Sequence, residues 1–227
     1  MNAKSKLIVI FDLDDTLYNE VDYLESAYQE IANFLSIKIN KAPHLIFTQM
    51  LNYYKLQLNV FDEILKLNGI GEISIQDLLK KYRYHIPNIK LTSNTERTLS
   101  WVKHKAYKVG LITDGRSIQQ RNKLKALGLE GYFDDIIISE EFGTEKPNIQ
   151  NFKFFSDIYG NSYAYMYIGD NTKKDFIAPN ELGWYTVCLK DNGKNIHQQS
   201  FDINSDIQPK YIIKELSELE KIISDIE

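Results

Sequence analysis

The sequence predicts an α/β protein whose core is a doubly wound, Rossmann-like parallel sheet with an inserted α-helical cap. Three observations support this fold class: short apolar segments typical of buried strands, helical patterns between them, and one long segment without strands. The predicted strands are continuous apolar segments, most of them rich in β-branched residues, as expected of strands covered on both faces. They cover residues 7–11, 109–113, 136–139, 165–168 and 186–189.

Helical patterns alternate with these strands. They cover residues 95–105, 117–127, 148–159 and 173–182. Gly128, Gly160 and Gly183 directly follow three of them, where a glycine commonly ends a helix. Pro179 lies inside the last pattern and is expected to shorten or kink that helix. The alternation of strand and helix predicts a parallel sheet wrapped by helices on both faces.

The segment between the first two predicted strands breaks this alternation. Residues 18–87 contain no convincing strand and show helical periodicity instead. Their predicted helices cover 21–35, 44–56, 60–68 and 75–84. We therefore divide the chain into a catalytic core of residues 1–17 and 88–227 and a helical cap of residues 18–87. We interpret the tail at 209–227 as a surface helix.

Composition and charge argue against several classes of protein. The chain has 227 residues, of which 43% are hydrophobic, and a formal net charge of -4 at pH 7. An acidic chain without a basic face does not favour nucleic-acid binding. Its apolar stretches are shorter than the roughly 20 residues that cross a membrane, and the one at 7–11 is too short for a secretory signal. We expect no nucleic-acid or membrane partner, and the oligomeric state is left open.

The chain contains one cysteine, Cys188, which lies in an apolar segment. A single cysteine cannot form an internal disulfide, so we interpret it as a buried, inert thiol. Proteins without disulfides are typical of reducing compartments. The sequence therefore favours a cytoplasmic location.

Reactive side chains follow four of the predicted strands. Asp12 and Asp14 follow the first strand, and Thr113 ends the second. Lys146 follows the third strand, and Asp170 follows the fourth. Ligands of open α/β sheets bind at the carboxyl ends of the strands. We therefore expect these residues to meet in one site.

The carboxylates among them predict a metal site. Asp12, Asp14 and Asp170 would repel one another if held close together without a cation among them. Hard oxygen ligands select Mg²⁺, which usually takes one or two carboxylates and leaves room for a phosphate and waters. Two aspartates spaced in this way often occupy a solvated turn, but here they directly follow a strongly apolar strand.

The remaining groups predict a phosphate site. Thr113 and the backbone amides near Asp114 and Gly115 are able to donate hydrogen bonds to phosphate oxygens. Lys146 supplies a positive charge. Asp175 could hold Lys146 or a metal-bound water, although an acidic residue near a helix N-terminus has a structural explanation as well. Asp114 fits the position of a helix N-cap equally well.

Four segments resemble motifs of the haloacid dehalogenase superfamily of phosphotransferases in order and spacing. They are residues 11–18, 112–115, 143–147 and 168–171, with Asp175 beyond the last. The resemblance implies a doubly wound core with a helical cap inserted after the first motif. One departure is Ile149, which stands where many relatives have a second proline. This is a structural detail that leaves the implied chemistry unchanged.

The resemblance implies a role for each matching residue. Asp12 is the expected nucleophile and forms an aspartyl-phosphate. Asp14 is expected to protonate the leaving alcohol and then to activate the water that hydrolyses the intermediate. Thr113 and Lys146 are expected to stabilise charge on the transferring phosphoryl group.

The resemblance also implies the ligands of Mg²⁺. They are Asp12, the backbone carbonyl of Asp14, and Asp170, with Asp175 supporting the metal shell or the phosphate-binding lysine. Asn171 lies beside the site and either touches the substrate or stays solvated. The four histidines show no metal-binding spacing and are interpreted as ordinary.

Asp14 distinguishes among the reactions known in the superfamily. A dehalogenase expels halide and needs no acid two residues after its nucleophile, whereas a phosphatase must protonate an alkoxide. We therefore expect hydrolysis of a small phosphomonoester, such as a sugar phosphate or a nucleotide. A hexose-phosphate mutase, which shares the core residues, and a catalytically retired binding protein remain as alternatives.

Overall fold

The computed structural model describes residues 6–202 and 204–226; the remaining residues of the predicted core lie outside that range. The strands are β1 Leu7–Phe11, β2 Lys108–Thr113, β3 Asp135–Ile138, β4 Ala164–Gly169, β5 Tyr185–Leu189 and β6 Tyr211–Ile213. The helices are α1 Glu20–Ile39, α2 Pro43–Lys55, α3 Val60–Leu67, α4 Ile75–Tyr84, α5 Ser93–Lys105, α6 Ser117–Ala126, α7 Ser139–Phe142, α8 Ile149–Tyr159, α9 Ile177–Glu181 and α10 Leu219–Ile226. Among the described residues, no helix is both long enough and apolar enough to cross a membrane.

The strands form one parallel sheet in the order β3-β2-β1-β4-β5-β6. The chain moves outward from β1 to β3 on one side and then returns to add β4 on the other side of β1. The strand order therefore reverses between β1 and β4, and such a switch point leaves a crevice where α/β proteins bind ligands. The predicted fold class is confirmed.

Successive residues of β1 belong to two different hydrophobic cores. Leu7, Val9 and Phe11 pack in a cluster that includes residues of α5, α6 and α10. Ile8 and Ile10 pack in a second cluster with residues of α8 and α9. Side chains alternate between the faces of a sheet, so the sheet is covered on both sides, as the continuous apolar segment predicts.

Helices α1 to α4 bury a third cluster of apolar side chains. Leu35, Met50, Ile64 and Leu78 each come from a different one of these helices and are fully buried. Helices α1 to α4 thus share a core of their own, and Tyr23 of α1 belongs instead to the first of the two clusters that cover the sheet. The assignment of residues 18–87 as a distinct cap domain stays a prediction.

The carboxyl-terminal segment differs from the single surface helix predicted at 209–227. Tyr211–Ile213 forms β6 and pairs with β5, and a 3₁₀ turn precedes α10. Leu219 and Ile223 of α10, four residues apart, are buried in the core beside the sheet. The prediction failed because a three-residue strand is too short to show a periodicity.

Helix α9 is also shorter than the helix predicted at 173–182. Pro179 lies in its first turn, where a residue without an N–H group forfeits no helical hydrogen bond. The residues before it form a turn instead, in which the N–H groups of Lys174 and Asp175 donate to the carbonyl of Asn171. This turn directs Asp175 back toward the end of β4.

Candidate active site

The carboxyl ends of β1, β2 and β4 border a polar cavity of about 100 Å³. The Asp12 N–H group, just after β1, donates to the carbonyl of Ile168 at 2.8 Å and so continues the sheet into the site. Seven of the residues predicted from the sequence line this cavity. They are Asp12, Asp14, Thr113, Asp114, Lys146, Asp170 and Asn171.

Two predicted site residues lie outside this lining. Gly115 borders a larger cleft of about 940 Å³ beside α4, and its N–H group donates to Oγ of Ser139 at 2.9 Å. Asp175 is fully buried beneath Lys146 and Asp170. Of the two, Asp175 remains in contact with the cavity through its neighbours.

Three carboxyl groups form a cluster with the geometry of a metal site. One oxygen from each of Asp12, Asp170 and Asp175 lies within 4.8 Å of the other two. Burial, partly offset by Lys146, raises the pKa of Asp12 to about 7. Burial and repulsion from its two acidic neighbours raise the pKa of Asp170 to about 9. A divalent cation would relieve this repulsion, and the all-oxygen donor set fits Mg²⁺.

Lys146 is a buried cation at the centre of the site. Its Nζ atom lies 2.8 Å from Oδ1 of Asp12 and 2.9 Å from Oδ1 of Asp175, and it donates to the Tyr167 hydroxyl at 3.0 Å. Burial alone would oppose its charge, but attraction to the two carboxylates raises the pKa of Lys146 above its usual value. The lysine therefore remains charged beside the predicted nucleophile.

Asp175 connects this lysine to the end of β4. Its Oδ2 atom accepts hydrogen bonds from the N–H groups of Asp170 and Asn171 at 3.1 and 2.9 Å. The approach is close enough that only a glycine fits at position 169, because a Cβ atom there would lie 2.8 Å from Cγ of Asp175. Asp175 thus holds the backbone that carries Asp170.

The carboxylate of Asp14 has partners of its own and, within the described chain, is absent from the three-carboxylate cluster. Lys123 contacts both of its oxygens at 2.8 Å, Gln120 donates at 2.9 Å and Tyr18 donates at 2.5 Å. Burial would raise the pKa of Asp14, but the charge and hydrogen bonds of Lys123 outweigh it and lower that pKa. Any metal contact from Asp14 would have to come from its backbone.

Thr113 and Asp114 are both held by neighbouring side chains. The Thr113 hydroxyl accepts a hydrogen bond from Gln120 at 2.6 Å. Asp114 pairs with Lys174 at 2.7 Å and accepts the backbone N–H of Lys146 at 3.0 Å. The alternative that Asp114 caps α6 is wrong, because α6 begins after Arg116.

Known proteins share this fold. The sequence profile described as haloacid dehalogenase-like hydrolase matches residues 9–189, which include the ends of all four central strands. This chain belongs to that family. The resemblance inferred from the four sequence segments is thereby confirmed.

Relatives of this haloacid dehalogenase-like hydrolase include enzymes from archaea. A glyceraldehyde 3-phosphate phosphatase of Methanocaldococcus jannaschii is 32% identical over 96% of this chain and 97% of the relative. The solved structure of a phosphatase from Thermococcus onnurineus has a TM-score of 0.60, with 24% identity over 97% of this chain and 98% of the other. A Bacillus subtilis hydrolase described as bound to magnesium has a TM-score of 0.64, with 21% identity over 97% of this chain and 99% of the other. These two structures share the fold.

Four further residues of this haloacid dehalogenase-like hydrolase line the cavity: Asp15, Glu20, Lys174 and His197. Burial and repulsion from Asp14 raise the pKa of Glu20 to about 8, so its carboxyl is able to donate or accept a hydrogen bond near neutral pH. The sequence predicts no role for His197, because the four histidines lack a metal-binding spacing. It reaches the cavity on the loop that follows β5.

That loop covers residues 191–199 and contacts the site through its side chains and backbone. Asn195 donates to Oδ2 of Asp170 at 2.8 Å, and Gln199 donates to the Asp170 carbonyl at 2.8 Å. The Ile196 N–H group donates to Asp15 at 2.8 Å. The loop therefore connects the segments that follow β1 and β4.

Proposed function

We propose that this protein is a Mg²⁺-dependent phosphatase that hydrolyses small phosphomonoesters through an aspartyl-phosphate on Asp12. The observation that carries the proposal is the contact of Asp12 with Lys146 inside a cavity that also holds Asp170. A buried carboxylate beside a fixed cation and a metal-binding group suits in-line phosphoryl transfer. The relative named as a phosphatase supports the same reaction class.

The first step transfers the phosphoryl group to the enzyme. An Asp12 oxygen attacks phosphorus as the bond to the ester oxygen breaks, and the Asp14 carboxyl gives its proton to the departing oxygen. Lys123 favours the ionised form of Asp14, but the negative charge of a bound ester has the opposite effect on a nearby carboxyl. The products of this step are the free alcohol, the Asp14 carboxylate and phosphorylated Asp12.

The second step regenerates the enzyme. The Asp14 carboxylate takes a proton from a water whose oxygen attacks phosphorus, and the bond from phosphorus to the Asp12 oxygen breaks. Inorganic phosphate leaves, Asp12 is again a carboxylate and Asp14 is again protonated. The lowered pKa of Asp14 favours its action as the base in this step.

Other side chains would bind the phosphoryl group and hold the metal. Lys146 and the Thr113 hydroxyl would stabilise its oxygens, together with the backbone amide of Asp114. Asp12, Asp170 and the backbone carbonyl of Asp14 would hold Mg²⁺, which when bound supplies positive charge to the phosphoryl oxygens. Asp175 and Asn171 support this arrangement.

Residues 18–87 would act as a cap that closes over the leaving group and excludes water. Glu20, at the start of α1, already lines the cavity from this segment. The Tyr23 hydroxyl donates to the carbonyl of Tyr82 at 2.7 Å and ties the first and last helices of the segment together. We place the enzyme in the cytoplasm, in line with the buried free thiol of Cys188.

The cavity favours a short substrate. Its volume of about 100 Å³ is well below the roughly 300–1,000 Å³ of pockets that enclose drug-sized ligands. A phosphoryl group and a short sugar chain fit this space better than a nucleoside does. The relative's name, which specifies a three-carbon sugar phosphate, supports the same choice.

The test is release of inorganic phosphate by the purified protein with Mg²⁺ from three-carbon sugar phosphates, a hexose 6-phosphate and a nucleoside 5′-monophosphate. We expect Mg²⁺-dependent release, highest with the three-carbon esters. Absence of release from every ester with any divalent metal would refute the phosphatase. A preference for the nucleotide would refute the size argument alone.

A further inference from the structure

Two polar side chains of α6 are buried against Asp14, the residue predicted to act first as the acid and then as the base. Gln120 and Lys123 are each 1% exposed. They are three residues apart, so they lie on the same face of the helix. That face packs toward the active site, where apolar side chains would be expected if packing were its only task.

Both side chains contact the carboxylate of Asp14. The Nζ atom of Lys123 lies 2.8 Å from each of its oxygens, and Nε2 of Gln120 lies 2.9 Å from Oδ2. The same Gln120 nitrogen lies 2.6 Å from the Thr113 hydroxyl. The Gln120 amide therefore links two predicted site residues, Asp14 and Thr113.

The burial of Lys123 calls for a compensating interaction, because an unpaired buried ammonium is costly. Asp14 provides it by direct contact, Glu20 lies 3.8 Å away and the Tyr23 ring centroid lies 4.5 Å from Nζ. The lysine is thus fixed from several sides and cannot follow Asp14 if that side chain turns. A fixed cation with a fixed amide leaves the carboxylate little freedom to rotate.

We propose that Gln120 and Lys123 are positioning residues that orient the Asp14 carboxyl toward the leaving oxygen and keep it in register with Thr113. The proposal rests on the phosphatase function proposed above. The step that they assist is the transfer of the Asp14 proton to the ester oxygen as the phosphorus–oxygen bond breaks. Neither residue exchanges a proton with the substrate.

The test compares two substrates that differ in their need for a proton. An alkyl phosphate releases an alkoxide that must be protonated, whereas 2,4-dinitrophenyl phosphate releases a stable phenolate. Since kcat/KM covers the steps up to alcohol release, we expect K123M and Q120L to lower it roughly 100-fold for the alkyl ester and less than about threefold for the aryl ester. K125M is the matched control, because Lys125 is an exposed residue of the same helix, and both values should stay unchanged.

A double-mutant cycle tests whether Lys123 acts through Asp14. In a D14N background, K123M should cause no further loss of kcat/KM with the alkyl ester. In a protein with Asp14 intact, K123R should keep more of this activity than K123M does. Equal losses with the two substrates, or full additivity with D14N, would overturn the proposal. Q120L leaves the net charge unchanged, so the comparison of the two esters is made with Q120L if K123M does not fold. Failure of the unmutated protein to hydrolyse either ester would instead refute the phosphatase function.

Discussion

The Nζ atom of Lys146 lies 2.9 Å from Oδ1 of Asp175, so a residue that lies outside the cavity lining fixes the cation inside it. The other oxygen of Asp175 accepts two backbone hydrogen bonds from the segment after β4. One buried carboxylate therefore joins the predicted phosphate-binding side of the site to its predicted metal-binding side. Changes at Asp175 should affect stability and metal binding together.

Replacing Asp175 by alanine should destabilise the protein. D175A leaves the buried N–H groups of residues 170 and 171 without an acceptor and removes one anionic partner of Lys146. We expect the free energy of unfolding to fall by about 3 kcal/mol, as measured by urea denaturation. D157A, at an exposed aspartate, is the control and should change stability little. A D175A protein as stable as this control would contradict the assigned contacts.

Replacing Gly169 by alanine should displace Asp175 without removing it. The new Cβ atom would collide with the carboxylate, which cannot retreat because it is fully buried. We expect a loss of about 1–3 kcal/mol in the free energy of unfolding, as for other overpacked sites, and weaker Mg²⁺ binding by calorimetry. G71A is the matched control, since nothing lies within 4 Å of a Cβ atom at Gly71. Unchanged Mg²⁺ affinity in G169A would show that the position of Asp175 does not affect metal binding.

The sequence predicts the centre of the site well because the sheet fixes it. Asp12 and Asp170 each follow a strand buried on both faces, and neighbouring parallel strands bring their ends together whatever the loops do. Thr113 ends β2 and is placed by the same rule, whereas Lys146 lies eight residues after β3, on the loop that follows α7.

Residues whose placement depends on distant packing escaped prediction. Gln120 and Lys123 contact Asp14 across 106 and 109 residues of sequence. In a helix of otherwise ordinary composition, nothing marks them as buried, because polar residues on a helix usually face solvent. His197 escaped for a similar reason, since a loop without secondary structure carries it to the cavity. Polar residues on the buried face of the helix after Thr113 would have been the one signal to look for.

Replacing Asp12 by asparagine should abolish turnover and leave the fold intact. The amide of D12N keeps the size of the carboxyl group but is not a nucleophile, so we expect phosphate release to fall by more than roughly 10⁴-fold. Circular dichroism and urea denaturation check the fold. D157N is the control for an aspartate change outside the site. Phosphorylated enzyme should be detectable in the unmutated protein and absent from D12N. Substantial activity in D12N would show that Asp12 is not the nucleophile.

Metal binding should become tighter as pH rises. In the metal-free protein the pKa values of Asp12 and Asp170 are raised to about 7 and about 9, so near neutral pH these carboxyls hold protons that a bound cation must displace. We expect Mg²⁺ affinity, measured by calorimetry, to rise at least roughly tenfold from about pH 6.5 to about pH 8.5, with proton release seen as a buffer-dependent heat.

The stability of the metal-free protein should change with pH in the opposite direction. A carboxyl group whose pKa is raised in the folded state binds its proton more tightly there than in the unfolded chain. The resulting stabilisation is full below the ordinary aspartate pKa of 3.8 and is lost as pH rises through the raised pKa of Asp170, about 9. The free energy of unfolding should therefore decrease between neutral pH and about pH 9, and added Mg²⁺ should restore it. D170N should bind Mg²⁺ weakly and lose this pH dependence of stability. If D170N still binds Mg²⁺ tightly and keeps the pH dependence, the ion binds elsewhere.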